Sequence, residues 1–225
     1  VGSWWIPAGM TCDPVELASV SGVVFAGFRA THDLRPTDEE GAAGEPVVRN
    51  DVTCRVFPET EAGRAVDIDV TLKALVDDVR IGGTLTLGKG YGGLTVRYAP
   101  CREIRIEADG ERLEEDGVRH RARWADFSGL FAGPDGKPLP HRSGIAVLAH
   151  PSHPDHPPEW LLRHYGVLSV SYPGLDMLAI PKDAPVRLSY RLWIHRGDAR
   201  EAGIEAQYRI YGSDWQWRPA GAPDS

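Results

Sequence analysis

Apolar and polar residues alternate without a break from Val66 to Ala74, and the same period of two returns from Val186 to Ile194. That period marks an extended strand with one face in a core and the other in water. Val66, Ile68, Val70 and Leu72 are therefore expected to face a core, and Asp67, Asp69 and Lys73 to face water. Shorter runs at 47–57, 84–87, 94–98, 103–108, 144–149 and 166–171 have the same character. Turn formers separate them: Asp77-Asp78, Asp109-Gly110, Gly133-Pro134-Asp135-Gly136 and Pro173-Gly174. The most apolar stretch, Val20 to Phe28, reads as a buried strand. Many strands, frequent turns and no interleaved helices predict an all-β fold, an antiparallel β-sandwich of which a supersandwich is one form.

One segment breaks the period. Asp198 and Glu201 have the spacing of a capping box, and Ile204, Tyr208 and Tyr211 follow on one helical face. A single short helix is predicted over 199–211. Residues 1–212 read as one domain, 213–225 as a flexible Pro-, Gly- and Asp-bearing tail, and 35–44 as an exposed acidic loop.

With 225 residues, 42% hydrophobic and 25% charged, the chain has enough material for one β domain with a full core. A net charge of −7 lacks the basic face that phosphates require, so no nucleic acid is expected as a partner. No stretch approaches the roughly 20 apolar residues of a membrane span, so the domain is expected to be soluble, with no membrane partner. Cys12, Cys54 and Cys101 are odd in number and dispersed, which favours buried thiols and a reducing, cytoplasmic compartment. The chain starts at Val1 and shows no signal-peptide layout, so secretion stays open. A homo-oligomer is left open as well.

Three motifs bear on chemistry. Gly88-Lys89-Gly90-Tyr91-Gly92-Gly93 matches G-x-G-x-x-G, yet a strand pattern follows it where a dinucleotide site needs a helix, so no nucleotide cofactor is expected. It is either a hairpin needing positive φ or a backbone platform flanked by the donors Lys89, Tyr91 and Arg97. His150, His153 and His156 recur at a spacing of three among prolines. In polyproline geometry they would share a face about 9 Å apart, too far for one zinc. The alternatives are a sharply turned loop holding a divalent metal, acid–base work by His150 and His156, or plain loop structure. Finally, Arg123-Trp124-Ala125-Asp126 and Trp160 to Tyr165 set charged groups beside aromatics, as sugar sites do and as core tryptophans also can.

Taken in order, Lys89 to Leu94 with Arg97, Trp124 to Gly129, Gly144 to Pro151 with His156-Pro157, and Trp160 to Gly166 resemble an uncharacterised bacterial family labelled "PmoA", or methane-oxygenase-like. The resemblance covers Val47 to Tyr211. The family pattern also has an Asn near His153 and a further His-rich stretch upstream of the position of Val1. True methane monooxygenase subunits of that label sit in the membrane, and this chain has no span. The resemblance implies carbohydrate metabolism, in the company of sugar-oxidising and sugar-isomerising enzymes.

The expected function is that of a carbohydrate-active protein: a hydrolase, lyase or epimerase acting on a glycoside or oxidised sugar. His150, His156 and Asp126 would move protons, and Lys89, Tyr91, Arg97, Trp124, Trp160 and Arg163 would bind the small-molecule carbohydrate. The rivals are a non-catalytic carbohydrate-binding module and a structural or assembly partner. Lys89, Arg97, Asp126, His150, His156 and Arg163 are expected to meet on one concave surface.

Overall fold

A computed structural model describes residues 9–83, 88–90 and 92–213. In chain order the strands are β1 (Met10–Gly22), β2 (Phe25–Pro36), β3 (Val48–Val56), β4 (Gly63–Ala74), β5 (Arg80–Ile81), β6 (Thr95–Arg97), β7 (Cys101–Ala108), β8 (Glu111–Leu113), β9 (Gly117–Arg121) and β10 (Trp124–Phe131). They continue with β11 (Ser143–Ala149), β12 (Glu159–Arg163), β13 (Val167–Ser171), β14 (Leu178–Ala179) and β15 (Val186–Arg196), and one helix follows, α1 (Ile204–Gly212). A nine-stranded sheet runs β1-β2-β3-β4-β15-β11-β10-β7-β8, a four-stranded sheet runs β6-β13-β12-β9, and β14 pairs with β5. Every one of these pairings is antiparallel. This is the all-β sandwich with one short C-terminal helix that the alternation predicts. Among the described residues no helix is long and apolar enough to cross a membrane.

The two sheets meet through residues of one parity. Ile106, Ala125, Phe127, Val147, Leu188 and Tyr190 of the large sheet pack on Trp160, Leu162, Leu168 and Val170 of the small one. On β4, Val70 joins this core and Leu72 a second one with Leu34, Val48, Ile81 and Ile180. The opposite parity forms the outer face of the large sheet. There Ala65, Trp124, Ala146, Leu148 and Trp193 make a smaller apolar floor, on which Ile204 and Tyr208 seat α1.

Three expectations need correction. Asp67 does not face water: it is 7% exposed, because α1 and its aromatic neighbours stand over part of the outer face. The apolar run from Val20 to Phe28 is no buried strand. It is the β1–β2 turn with its flanks, and Val23, Val24 and Phe28 are exposed. The capping box does form, with Asp198 N–H donating to Glu201 at 3.0 Å and Glu201 N–H to Asp198 at 3.0 Å. It closes only one turn, because Gly203 adopts a left-handed φ of 62° and the helix proper starts after it. The predicted strand at 84–87 and the tail from 214 onward lie outside the described residues.

Candidate functional site

The histidine loop joins β11 to β12. Backbone bonds from His153 N to His150 O (2.9 Å) and from His156 N to His153 O (3.0 Å) wind it into successive turns, so the extended polyproline geometry does not apply. The turns send the imidazoles to different sides of the large sheet. His153 points inward, 3% exposed, with Nε2 at 3.3 Å from the Tyr190 hydroxyl and its ring edge on Tyr172. Its Nδ1 accepts the Asp155 amide at 3.2 Å, which puts the ring proton on Nε2. Burial lowers its pKa to about 4.

His150 and His156 point to the outer side, each against a tyrosine of α1. His156 Nε2 lies 3.1 Å from the Tyr208 hydroxyl, and its Nδ1 is buried with no partner. His150 packs edge-on to Tyr211. Its Nδ1 accepts the Ser152 amide at 3.1 Å and lies 2.8 Å from that residue's hydroxyl, leaving Nε2 as the protonated nitrogen. Burial lowers the pKa of both, with Asp69 partly opposing this at His150.

Beside His150 the outer face is polar, and strand register explains why. Arg55, Asp67 and Arg191 form one row across β3, β4 and β15, and Thr53, Asp69 and Ser189 form the next. Arg191 grips Asp67 with two bonds of 2.6 and 2.9 Å. Arg55 pairs with Asp69, which also accepts the Ser189 hydroxyl at 2.6 Å. The Arg191 guanidinium lies over the Tyr211 ring at 4.6 Å. Around the other end of the helix, Arg123 holds Glu205 (3.1 Å) and Asp109 (3.2 Å), and Trp124 Nε1 donates to Glu205 at 3.0 Å. Together α1 and the histidine loop form a ledge, and the two polar rows form the floor at its foot. The result is an open step, not an enclosed cavity.

The remaining predicted site residues do not join this step. Asp126 lies on the same sheet face but is fully buried, paired at 2.9 Å with His195 Nε2. His195 Nδ1 meets the Arg196 carbonyl at 3.2 Å, so both ring nitrogens find acceptors. Burial alone would lower the His195 pKa, but the hydrogen bond and charge of Asp126 outweigh it and raise it. Gly144 makes room for the pair, since a Cβ there would come within 2.9 Å of the His195 ring. Trp160 is fully buried between the sheets, donating Nε1 to Ala122 O at 2.7 Å, and Trp124 is 3% exposed beneath α1. Both indoles are occupied by the core.

Arg97 and Arg163 flank Val167 in one row of the small sheet, where Arg97 is exposed and Arg163 pairs with Asp116 at 3.2 Å. That row lies four residues from Glu159, where the histidine loop enters β12, or about 13 Å at strand rise. The described strands on either side of the glycine loop, β5 and β6, belong to different sheets, and the predicted strand at 84–87 between β5 and the loop lies outside the described residues. Gly92 and Gly93 run against the backbone of Tyr172 and Val170, leaving no room for a Cβ. Gly92 and Gly93 thus serve close chain packing, Gly88, Gly90 and Gly93 adopt the positive φ that the hairpin alternative called for, and the loop meets His153 through Tyr172 and Tyr190 on the inner side. Lys89 is half-buried there, and Tyr91 lies outside the described residues. The six residues expected on one surface are therefore divided among several.

No group of three or more His, Cys, Asp or Glu among the described residues is placed to hold a metal ion, and His150, His153 and His156 do not form one. Two recesses lie away from the step. One, of about 510 Å³, is lined by Glu59, Arg64, Ser143, Ile194, His195 and Arg196, and the other, of about 370 Å³, by His141, Arg142, Arg196 and Glu201. The His195 side chain is wholly enclosed by its partner Asp126, so the first recess meets its backbone and not its imidazole.

What the fold and this face define is an antiparallel β-sandwich with a polar, ledge-bounded outer sheet. The chain belongs to a family of unknown function, DUF6807, whose model matches residues 17–209. No curated protein and no solved structure matches it.

Proposed function

We propose that this domain handles a carbohydrate at the step between α1, His150 and strands β3, β4 and β15. One observation carries the reading: the Arg55–Asp69–Ser189 and Arg191–Asp67 groups stand beside His150 and the Tyr211 ring. Alternating donors and acceptors next to an aromatic side chain suit vicinal hydroxyls on a sugar ring. The resemblance to a family linked with sugar metabolism supports the same ligand class. An open step also suits an extended ligand better than a monosaccharide sealed from water.

The catalytic form of this reading is a hydrolase, lyase or epimerase acting on a glycoside or oxidised sugar. Asp69, half-exposed, is its proton acceptor, and His150 Nε2–H its donor to a developing oxyanion. The test is calorimetric titration with methyl glycosides and disaccharides, joined to a turnover screen of glycosides and 3-keto-glycosides with and without divalent metals. Saturable binding lost in His150→Ala, with the melting temperature kept, supports the site. Binding without turnover leaves a carbohydrate-binding module. No binding by any neutral or anionic sugar overturns the reading.

A further inference from the structure

We infer that the step selects uncharged sugars and discriminates against sugar phosphates and uronates. The inference rests on the carbohydrate reading above and concerns the charge of the ligand at that same site. The arginines that border His150 and α1, Arg55, Arg123, Arg191 and Arg209, are each already committed to a carboxylate. Arg191 is gripped by both oxygens of Asp67. Arg55 is held by Asp69, and Arg123 by Asp109 and Glu205. Recognition of a phosphate or carboxylate draws on a guanidinium fork presented free to the ligand. Here the fork must first release a carboxylate, and that carboxylate then stands beside the incoming anion.

Carboxylates match guanidinium groups in this set, Asp67, Asp69, Asp109 and Glu205 against Arg55, Arg123, Arg191 and Arg209, so no positive charge is left over for an anion. His150 adds no charge at neutral pH, since its Nδ1 is engaged as an acceptor and only Nε2 carries a proton. What the floor still offers is neutral in sum: unused N–H groups of paired arginines, remaining lone pairs of paired carboxylates, and the His150 donor. Hydroxyl groups, which donate and accept at once, match that set, and an anion matches half of it. Arg187 stands on the same face one alternation beyond Ser189, but it is exposed, where water and salt screen it.

The experiment compares methyl glucoside, methyl galactoside and cellobiose with glucuronate, galacturonate and glucose 6-phosphate, by calorimetry and by ¹H–¹⁵N shift mapping at pH 7.5. The expected result is that anionic sugars bind at least about tenfold more weakly than their neutral counterparts. Asp69→Asn, which frees Arg55, should narrow or reverse that ratio by about tenfold while the melting transition stays cooperative. Asp67→Asn, freeing Arg191, gives a second reading of the same effect. The proposal is overturned if an anionic sugar binds as tightly as its neutral counterpart, or if Arg187→Ala alone removes anion binding of that strength. Failure of every sugar, neutral and anionic alike, overturns the carbohydrate reading itself and is distinguishable from both.

Discussion

His195 Nε2 lies 2.9 Å from Asp126 Oδ1, and neither side chain has any surface in contact with water. The pair bridges β15 and β10 across β11, passing over Gly144. Removing one member leaves the other's charge buried and unpaired, at a cost of about 3–5 kcal/mol. Asp126→Asn should therefore lower the urea midpoint by that equivalent without changing the slope. Replacing both residues with apolar ones of similar volume should cost less than either single change. A role for Asp126 in chemistry predicts the reverse, a stable variant that has lost activity.

Two buried histidines should give pH dependences of opposite sign. The His153 pKa falls from an ordinary value near 6.5 to about 4 on folding, so the unfolded chain binds the extra proton first. Its contribution is full above about 6.5 and is lost as pH drops towards 4, up to about 3 kcal/mol. The His195 pKa is raised, so its contribution is full below the unfolded value and fades as pH rises through the folded one. In His153→Gln the acid limb of a stability-against-pH curve should flatten. A curve identical to that of the wild type would mean that His153 is not the buried neutral group described.

Trp160 and Trp124 should behave as core residues. Trp160→Ala is expected to cost about 3–5 kcal/mol, and Trp124→Phe about 1.5–3 kcal/mol through the lost bond to Glu205. Sugar affinity of folded Trp124→Phe should match the wild type. A selective loss of affinity with stability intact would return that indole to the binding site.

Period-two alternation was enough to locate β4 and β15, and their register then explains the polar rows of the step. Alternation says which residues share a face, but not what covers that face. Asp67 reads as a solvated position because nothing local announces that Arg191 grips it and Tyr211 lies against Arg191, whereas Asp69 beside it keeps part of its side chain in water. His195 escaped notice for a related reason. It falls on the polar parity of β15 and Asp126 on that of β10, yet the strands become neighbours only through β11, a matter of topology. The histidine loop leaves both an extended and a sharply turned form open from its residue types alone, and only the backbone bonds from His153 to His150 and from His156 to His153 decide for the turns. Trp124 and Trp160 show the limit of composition: a Trp beside Arg and Asp can pack in a core as readily as beneath a sugar.

The last turns of α1 should loosen when the His156–Tyr208 contact is broken or charged. The 3.1 Å bond from Tyr208 to His156 Nε2 and the Tyr211–His150 contact tie the helix end to the loop, while Trp193 and Glu205 hold its start. Burial lowers the His156 pKa, with Arg123 acting in the same direction and Asp109 against it. Glu205, Asp67, Asp69 and Arg191 complete the charges around the two imidazoles. Since the freed imidazole binds its proton more readily than the docked one, acidification from about pH 7 to 5 should favour undocking. Tyr208→Phe should mimic this at pH 7, raising hydrogen exchange in Ile204–Gly212 about fivefold to tenfold, the equivalent of one lost bond of about 1 kcal/mol. Exchange in β10 and β11 should not change. If wild-type exchange in the helix ignores pH, or if Tyr208→Phe raises exchange equally throughout the sheet, the contact is not what holds the helix end down.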